Sequence, residues 1–134
     1  MNTIFSNHSI KFILILTLSV LSSCQKQSDL AEITLINPEE MKTLLLDKDV
    51  QLVDVRSVKE FNEHYIQGAE NIVFDENFDI KLDNLDKEKP VVVYCKKGGR
   101  SARCAKVLQE RGFKKIYDLE GGLTQWIKEG NEVQ

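Results

Sequence analysis

The chain of 134 residues has little cysteine, histidine or proline, and each shortage excludes a class of protein. Three Cys residues close one disulfide at most, which excludes a multi-disulfide scaffold. There are only two His residues, and His8 lies in a segment that we expect to be removed, so a zinc site of four Cys and His ligands is hard to build. We therefore expect neither a metal nor another cofactor. Two Pro and seven Gly exclude collagen-like and Pro-rich chains.

An excess of basic charge is also absent. Lys and Arg number 18 against 21 Asp and Glu, which gives a formal net charge of −3. Nucleic-acid binders carry a strongly basic surface, so we expect no nucleic acid as a partner. Hydrophobic residues make up 42% and charged residues 29%, as in ordinary globular proteins. The length fits a single domain.

The N-terminal segment contains a short apolar run, at residues 12–21. A helix of that length spans about half of a ~30 Å hydrocarbon core, which is too short to cross a bilayer and typical of a signal-peptide core. The next residues, Leu21-Ser22-Ser23-Cys24, resemble the bacterial lipobox, which implies cleavage before Cys24 and its lipidation. The alternative is a plain secretory signal with an incidental Cys. We expect a cleaved signal at residues 1–23 and a lipidated tether at residues 24–32.

This anchor predicts the location of the protein. Several acyl chains give stable membrane attachment, whereas a single chain gives only marginal binding. We expect a protein of the bacterial cell envelope, periplasmic or outer-membrane associated, that meets the membrane through its lipid alone. Thiols tend to oxidise in that compartment, so a retained thiol there requires an explanation.

Strand and helix signals alternate along residues 33–130, which we assign to one domain. Asn37 before Pro38 is typical of a helix start, and Ser57 with Glu60 forms a capping-box pattern. The unbroken β-branched run that begins at Val91 is typical of a central parallel strand. We predict strands at residues 33–36, 50–55, 72–73, 91–94 and 115–119, and helices at residues 38–46, from 57, at 101–111 and at 123–128. Residues 74–89 are expected to form a loop with at least one helical turn. This alternation favours an α/β sandwich with a central, mainly parallel sheet and helices on both faces.

The residues that follow the predicted central strand carry the candidate chemistry. In open α/β sheets, ligands bind outside the carboxyl ends of the strands. The segment at that position is Cys95-Lys96-Lys97-Gly98-Gly99-Arg100-Ser101. Its glycines allow the backbone N–H groups to converge on one point, and the start of a helix and three cations add positive charge there. A Cys at such a point has a pKa of roughly 3.5–7.5, against ~8.5 for a free thiol. The pattern therefore predicts a nucleophilic thiolate at Cys95 in an anion-binding loop.

Each of these residues also has an alternative structural role. Cys95 can be an inert buried thiol, and Lys96 and Lys97 can be solvated loop charges. Arg100 organises the loop as much as it binds a ligand, and Ser101 is favoured as a helix cap. Cys104 lies on an apolar helix face, where packing is favoured over the role of a resolving thiol, although a disulfide with Cys95 would silence the site.

Five segments in a fixed order resemble the rhodanese-type sulfurtransferase domain. They are VDVR at residues 53–56, EF at 60–61, IQGAENI at 66–72, CKKGGRS at 95–101 and LEGGLTQW at 119–126. The resemblance implies the rhodanese three-layer fold and a thiosulfate sulfurtransferase-like activity. Cys95 would take a sulfane sulfur from a donor such as thiosulfate, hold it as a persulfide and pass it to a thiol or another thiophilic acceptor. The resemblance also implies that Asp54, Arg56 and Glu60 form a supporting polar network.

One position departs from the family, and two other functions are weighed against sulfur transfer. His64-Tyr65 stands where the family often has Gly-His, so we expect an altered turn there. Related phosphatases have one more residue in the loop than the four between Cys95 and Arg100, so the loop favours sulfur transfer. A non-catalytic or redox-sensing accessory module would more often lack the Cys, which this chain retains. We expect a monomer.

Overall fold

The computed structural model describes residues 30–134. The predicted signal peptide and Cys24 lie outside the described residues, as does most of the predicted tether. Within residues 30–134, no helix is both long and apolar enough to cross a membrane.

Five strands form one parallel sheet. They are β1 (Ile33–Ile36), β2 (Gln51–Asp54), β3 (Glu70–Asn71), β4 (Val91–Tyr94) and β5 (Ile116–Leu119). Their order across the sheet is β1-β5-β4-β2-β3, and every neighbouring pair is parallel. All four residues of β4 are buried, as its unbroken apolar run predicts. Because all strands run the same way, β4 and β5 end side by side, at the edge where Cys95 follows β4.

Helices cover both faces of the sheet, which confirms the predicted three-layer architecture. They are α1 (Pro38–Leu44), α2 (Val58–Glu63), α3 (Phe78–Lys81), α4 (Gly99–Glu110) and α5 (Gly122–Lys128), with a 3₁₀ turn at Leu82–Asn84. One apolar cluster joins α3 and α4 to the sheet and includes Phe78 and Leu108. A second cluster on the opposite face joins α1 and α5 to the sheet and includes Met41 and Trp126. Helix α2 has no buried residue.

The helix starts predicted at Asn37 and Ser57 are confirmed in detail. Asn37 accepts hydrogen bonds from the amides of Glu39 and Glu40 at the start of α1, and the Glu40 side chain accepts one from the Asn37 amide in return. Ser57 and Glu60 form the same reciprocal arrangement at the start of α2. These contacts satisfy N–H groups that have no partner within the helix.

Several predicted boundaries differ by one or two residues from those of the structure, and two of these differences have a local cause. The short strand predicted at residues 72–73 lies at residues 70–71, where Glu70 and Asn71 pair with the end of β2. The Ile72 amide still donates to the Asp54 carbonyl at 3.0 Å, and the Phe74 amide donates to the Val55 carbonyl at 3.2 Å, but the paired strand β2 ends at Asp54. Helix α4 begins at Gly99, two residues before the predicted start, because Gly98 adopts a left-handed φ of +100° immediately before it.

Candidate active site

A thiol lies at the centre of the loop that joins β4 to α4. Cys95 is only 2% exposed, and its Sγ accepts a hydrogen bond of 3.0 Å from the amide of Gly98. The left-handed conformation of Gly98 turns the chain back on itself, and the amides of Lys97, Gly98 and Ser101 favour the Cys95 thiolate. The predicted gathering of N–H groups around Cys95 is present.

Helix α5 holds this loop from the other side. The amide of Leu123 donates to the Cys95 carbonyl at 2.8 Å, and the amide of Thr124 donates to the Lys96 carbonyl at 3.0 Å. These bonds satisfy two N–H groups at the start of α5 that have no partner in their own helix. They also fix the loop carbonyls toward α5, so the N–H groups of the same loop remain available to the sulfur.

The close approach of α5 requires glycine at its first position. Gly122 has a φ of +57°, and a Cβ on it would lie 2.4 Å from the Cys95 carbonyl oxygen. The same Cβ would lie 2.8 Å from the carbonyl carbon of Lys96 and 2.9 Å from the Lys97 nitrogen. All three are backbone atoms of the loop, so any side chain at this position displaces the loop.

The environment of Cys95 lowers the pKa of its thiol. Burial acts in the opposite direction and is the largest single influence. The amide and hydroxyl of Ser101 and the amides of Lys97 and Gly98 favour the thiolate and together outweigh burial. Of these groups, the Gly98 amide makes the 3.0 Å hydrogen bond to the sulfur. The lowering of this pKa therefore comes mainly from backbone dipoles and one hydroxyl. The Lys96 and Lys97 side chains are exposed to solvent.

Arg100 fastens the loop to α2. Its two terminal nitrogens each donate to the Glu60 carboxylate at 2.7 Å, in a bidentate arrangement. The same carboxylate accepts from the amide and hydroxyl of Ser57. Arg100, aided by Ser57, lowers the pKa of Glu60 to about 2, so this carboxylate stays ionised at any physiological pH. In the structure, Arg100 therefore organises the loop, which is one of the two roles that the sequence suggests for it.

The supporting residues Asp54, Arg56 and Glu60 lie near one another but belong to two separate ion pairs. Arg56 donates from Nη2 to the Asp54 carboxylate at 2.6 Å, and both side chains are almost fully buried. Arg56 also donates to the His64 carbonyl at 2.7 Å, which secures the turn where the sequence departs from the family. Glu60 forms the other pair, with Arg100.

The second thiol near the site is Cys104, on the buried face of α4. It is 0% exposed, and burial raises its pKa well above the usual value. Both Cys95 and Cys104 are free thiols, so no disulfide joins them. Cys104 occupies the packing position that its apolar helix face predicts.

One buried carboxyl near the site is absent from the sequence predictions. Asp118 in β5 is 4% exposed, and its Oδ1 has no hydrogen-bond partner. Burial raises the pKa of Asp118 to about 6, and the Ser101 hydroxyl offsets only part of that effect. The alternation of side chains along β5 could have indicated that Asp118 is buried. Ile116 and Asp118 are two residues apart and therefore share a face, and Ile116 lies in the core beneath α4.

The chain matches the family model of the rhodanese-like domain over residues 37–129. It is 32% identical to the thiosulfate sulfurtransferase GlpE of Glaesserella parasuis over 95 residues, which are 71% of this chain and 87% of the relative. It is 39% identical to the protein of the same name from Shewanella oneidensis over 79 residues, 59% of this chain and 77% of the relative.

A solved structure with the same fold is the polysulfide-sulfur transferase homodimer of Wolinella succinogenes. Its TM-score is 0.67 at 30% identity, and the match covers 96% of this chain and 93% of that one. Together with the family model, this match confirms the predicted fold class over the whole domain.

Replacing Gly122 with Ala should damage the site specifically. The new Cβ meets loop backbone and adds strain at a positive φ, so the free energy of unfolding should fall by about 2–4 kcal/mol. Alkylation of Cys95 at neutral pH should slow, because the amides move away from the sulfur. Gly130→Ala is the matched control, since Gly130 has a φ of +78° and nothing within 4 Å of its Cβ position. Equal losses in the two variants would contradict the close-packing account.

Replacing Asp118 with Asn should change how stability depends on pH. Because the folded pKa is raised, the folded protein keeps this proton where the unfolded chain has lost it, so wild-type stability falls as the pH rises from about 4 to about 6. Asp118→Asn should lack this fall and exceed the wild type by up to about 3 kcal/mol above pH 6. Urea unfolding at pH 4 and pH 8 measures this difference in the free energy of unfolding, and Glu120→Gln, at an exposed position, is the control. Parallel pH profiles for Asp118→Asn and wild type would refute the assignment.

Proposed function

The chain belongs to the rhodanese-like domain family, and on that basis we propose that it is a sulfurtransferase. In this proposal Cys95 carries the sulfur as a persulfide, from a donor such as thiosulfate to a thiophilic acceptor. The observation that carries the proposal is the hydrogen-bonded Cys95 sulfur at the carboxyl end of the central strand, with its thiol pKa lowered. The relatives named thiosulfate sulfurtransferase support the same class of reaction.

The first half-reaction transfers sulfur to the enzyme. The Cys95 thiolate attacks the outer sulfur of thiosulfate and forms a new S–S bond. The S–S bond of thiosulfate breaks, and sulfite leaves with the electron pair. The product is a persulfide on Cys95 whose terminal sulfur is anionic, and backbone N–H groups are suitable partners for such an anion.

The second half-reaction regenerates the thiolate. A nucleophilic acceptor, such as cyanide or a thiolate, attacks the terminal sulfur, and the persulfide S–S bond breaks. The electron pair returns to Cys95, whose thiolate is again stabilised by the loop amides. Exposed Lys96 and Lys97 attract the anionic donor, an effect that salt screens at exposed sites.

The carboxylates beside the loop favour this reaction over phosphoester hydrolysis. A Cys-dependent phosphatase needs a general acid to protonate its leaving group. Glu60 is held ionised by Arg100, and Asp54 is buried in its pair with Arg56. Neither of these carboxylates is therefore suited to serve as that acid. The Asp118 carboxyl near the site is buried beneath α4 and only 4% exposed, so it is also not placed to reach a bound substrate. In addition, the loop has one residue fewer than the phosphatase loop. We retain sulfur transfer as the proposed reaction.

Thiocyanate formation from thiosulfate and cyanide tests the proposal. The domain spanning residues 25–134, pretreated with a reductant, should turn over, and Cys95→Ser should reduce turnover to the uncatalysed rate because the oxygen cannot carry sulfane sulfur. Cys104→Ala is the matched control, since it removes the other thiol of the described domain, and it should retain most of the activity. If a folded, reduced wild-type protein takes up sulfur neither from thiosulfate nor from polysulfide, the accessory-module alternative replaces this proposal.

We also propose that Cys24 is lipidated and anchors the protein in the bacterial cell envelope. The support lies in the sequence, where the lipobox-like Leu21-Ser22-Ser23-Cys24 follows the apolar run. The first strand begins at Ile33, so residues 24–32 can link the anchor to the domain. Membership of the envelope, the side of the membrane and the monomeric state remain predictions.

Cys24→Ala tests the anchor. Expressed from the full chain in a bacterium, the wild type should incorporate a labelled fatty acid and sediment with membranes, whereas Cys24→Ala should lose both properties. Ser23→Ala, which keeps a small residue before the Cys, should behave as wild type. Membrane retention of Cys24→Ala equal to that of the wild type would rule out the lipid anchor.

A further inference from the structure

The Asp118 carboxyl, whose Oδ1 has no hydrogen-bond partner, lies beside the strand that leads to Cys95. Strands β4 and β5 are neighbours, and Asp118 pairs in register with Val93, two residues before Cys95. Val93, Cys95 and Ile116 belong to one core cluster, so Cys95 and Asp118 both project toward the face that α4 covers. Ser101, at 0% exposure, is on the first turn of α4 above them. The sheet and α4 thus bring a thiol, a hydroxyl and a carboxyl together.

The Ser101 hydroxyl has more acceptors than it has protons. It donates to the Gly98 carbonyl at 3.1 Å, and it lowers the pKa of both Cys95 and Asp118, as a neighbour that stabilises either anion does. A hydroxyl carries one proton and can donate one hydrogen bond at a time, although its oxygen accepts others. The Gly98 carbonyl, the sulfur and the carboxylate therefore compete for the same donor.

We propose that Asp118 is a positioning residue whose protonation state determines which acceptor receives the hydrogen bond of the Ser101 hydroxyl. When the carboxyl is neutral, its own O–H donates to the Ser101 oxygen, and the Ser101 proton is directed to the Cys95 sulfur. When the carboxyl is ionised, it accepts the Ser101 proton, and the sulfur loses that donor. Asp118 touches neither donor nor acceptor of sulfur in this scheme and acts through Ser101 alone.

Among the described residues, the neighbours of Asp118 offer it no stronger interaction than the one with the Ser101 hydroxyl. On α4, the ionisable group that interacts with Asp118 is Cys104, whose thiol burial keeps protonated, and the cations Arg100 and Arg103 interact with Cys104 in turn. Arg100 is committed to Glu60, and Arg103 lies over the Phe74 ring at 5.2 Å. The strand neighbours on either side of Asp118 are the apolar Leu35 and Val93. Immediately after β4, Cys95 is the titratable group on the same face of the sheet.

The proposal deepens the proposed sulfur transfer, because it concerns the same thiolate, but its test does not require turnover. The readout is the pH midpoint for alkylation of Cys95 by iodoacetamide, followed by mass spectrometry of the peptide that contains it. Asp118→Asn is permanently neutral, and its amide can donate to the Ser101 oxygen. Its midpoint should lie about one pH unit below that of the wild type.

The same substitution in a Ser101→Ala background separates a relay through the hydroxyl from a direct effect of charge. With the hydroxyl absent, the shift in midpoint that Asp118→Asn produces should shrink to less than half. Glu120→Gln removes an exposed charge from the residue just beyond β5 and should leave the midpoint unchanged. If Asp118→Asn fails to fold, Asp118→Ala replaces it, with the same expected direction.

Three results would overturn the proposal. An unchanged alkylation midpoint in a folded Asp118 variant shows that the carboxyl does not influence the sulfur. A change in thermal stability without movement of the midpoint shows a structural role only. A full shift that persists without the Ser101 hydroxyl shows that the charge acts directly. Because alkylation requires no sulfur donor, each result is independent of whether the protein transfers sulfur.

Discussion

The orientation of the peptide groups in the loop after β4 is the constraint on which the site depends. Two amides of α5 bind the carbonyls of Cys95 and Lys96, and the loop N–H groups are then free to face the Cys95 sulfur. A buried thiolate without such donors would cost several kcal/mol. The arrangement follows from the parallel sheet, because β4 and β5 end side by side and the chain leaves β5 directly into α5.

Two ion pairs stabilise the segments next to this loop, and they differ in how far they are buried. The pair of Asp54 and Arg56 is buried, so its desolvation cost offsets much of its attraction, and its role is to fix the geometry of the turn at His64. The pair of Glu60 and Arg100 is partly exposed and bidentate, which gives directional contact between α2 and α4. The loop cations Lys96 and Lys97 stay solvated, which suits them to attract an anion.

The sequence predicts the parts of this site whose signals are local. The β-branched run from Val91, the capping pattern at Ser57 and the glycines after Cys95 each have a short-range physical cause, and the structure contains the feature predicted from each. The hold of α5 on the loop and the division of acidic residues between two arginines depend on contacts between distant segments. Asp118 is not predicted for a different reason. The alternation of β5 places its side chain on the buried face of the sheet, but buried acidic residues are so rare that a sequence pattern alone does not indicate one.

The central claim of the proposed function is that Cys95, and not Cys104, takes up sulfane sulfur. The most direct measurement is the mass of each Cys-containing peptide after the reduced domain is exposed to thiosulfate or polysulfide and separated from the donor. The account predicts one added sulfur on the Cys95 peptide, lost again on treatment with cyanide, and none on the Cys104 peptide. Added sulfur on the Cys104 peptide, or on neither peptide of a folded and reduced protein, would contradict it.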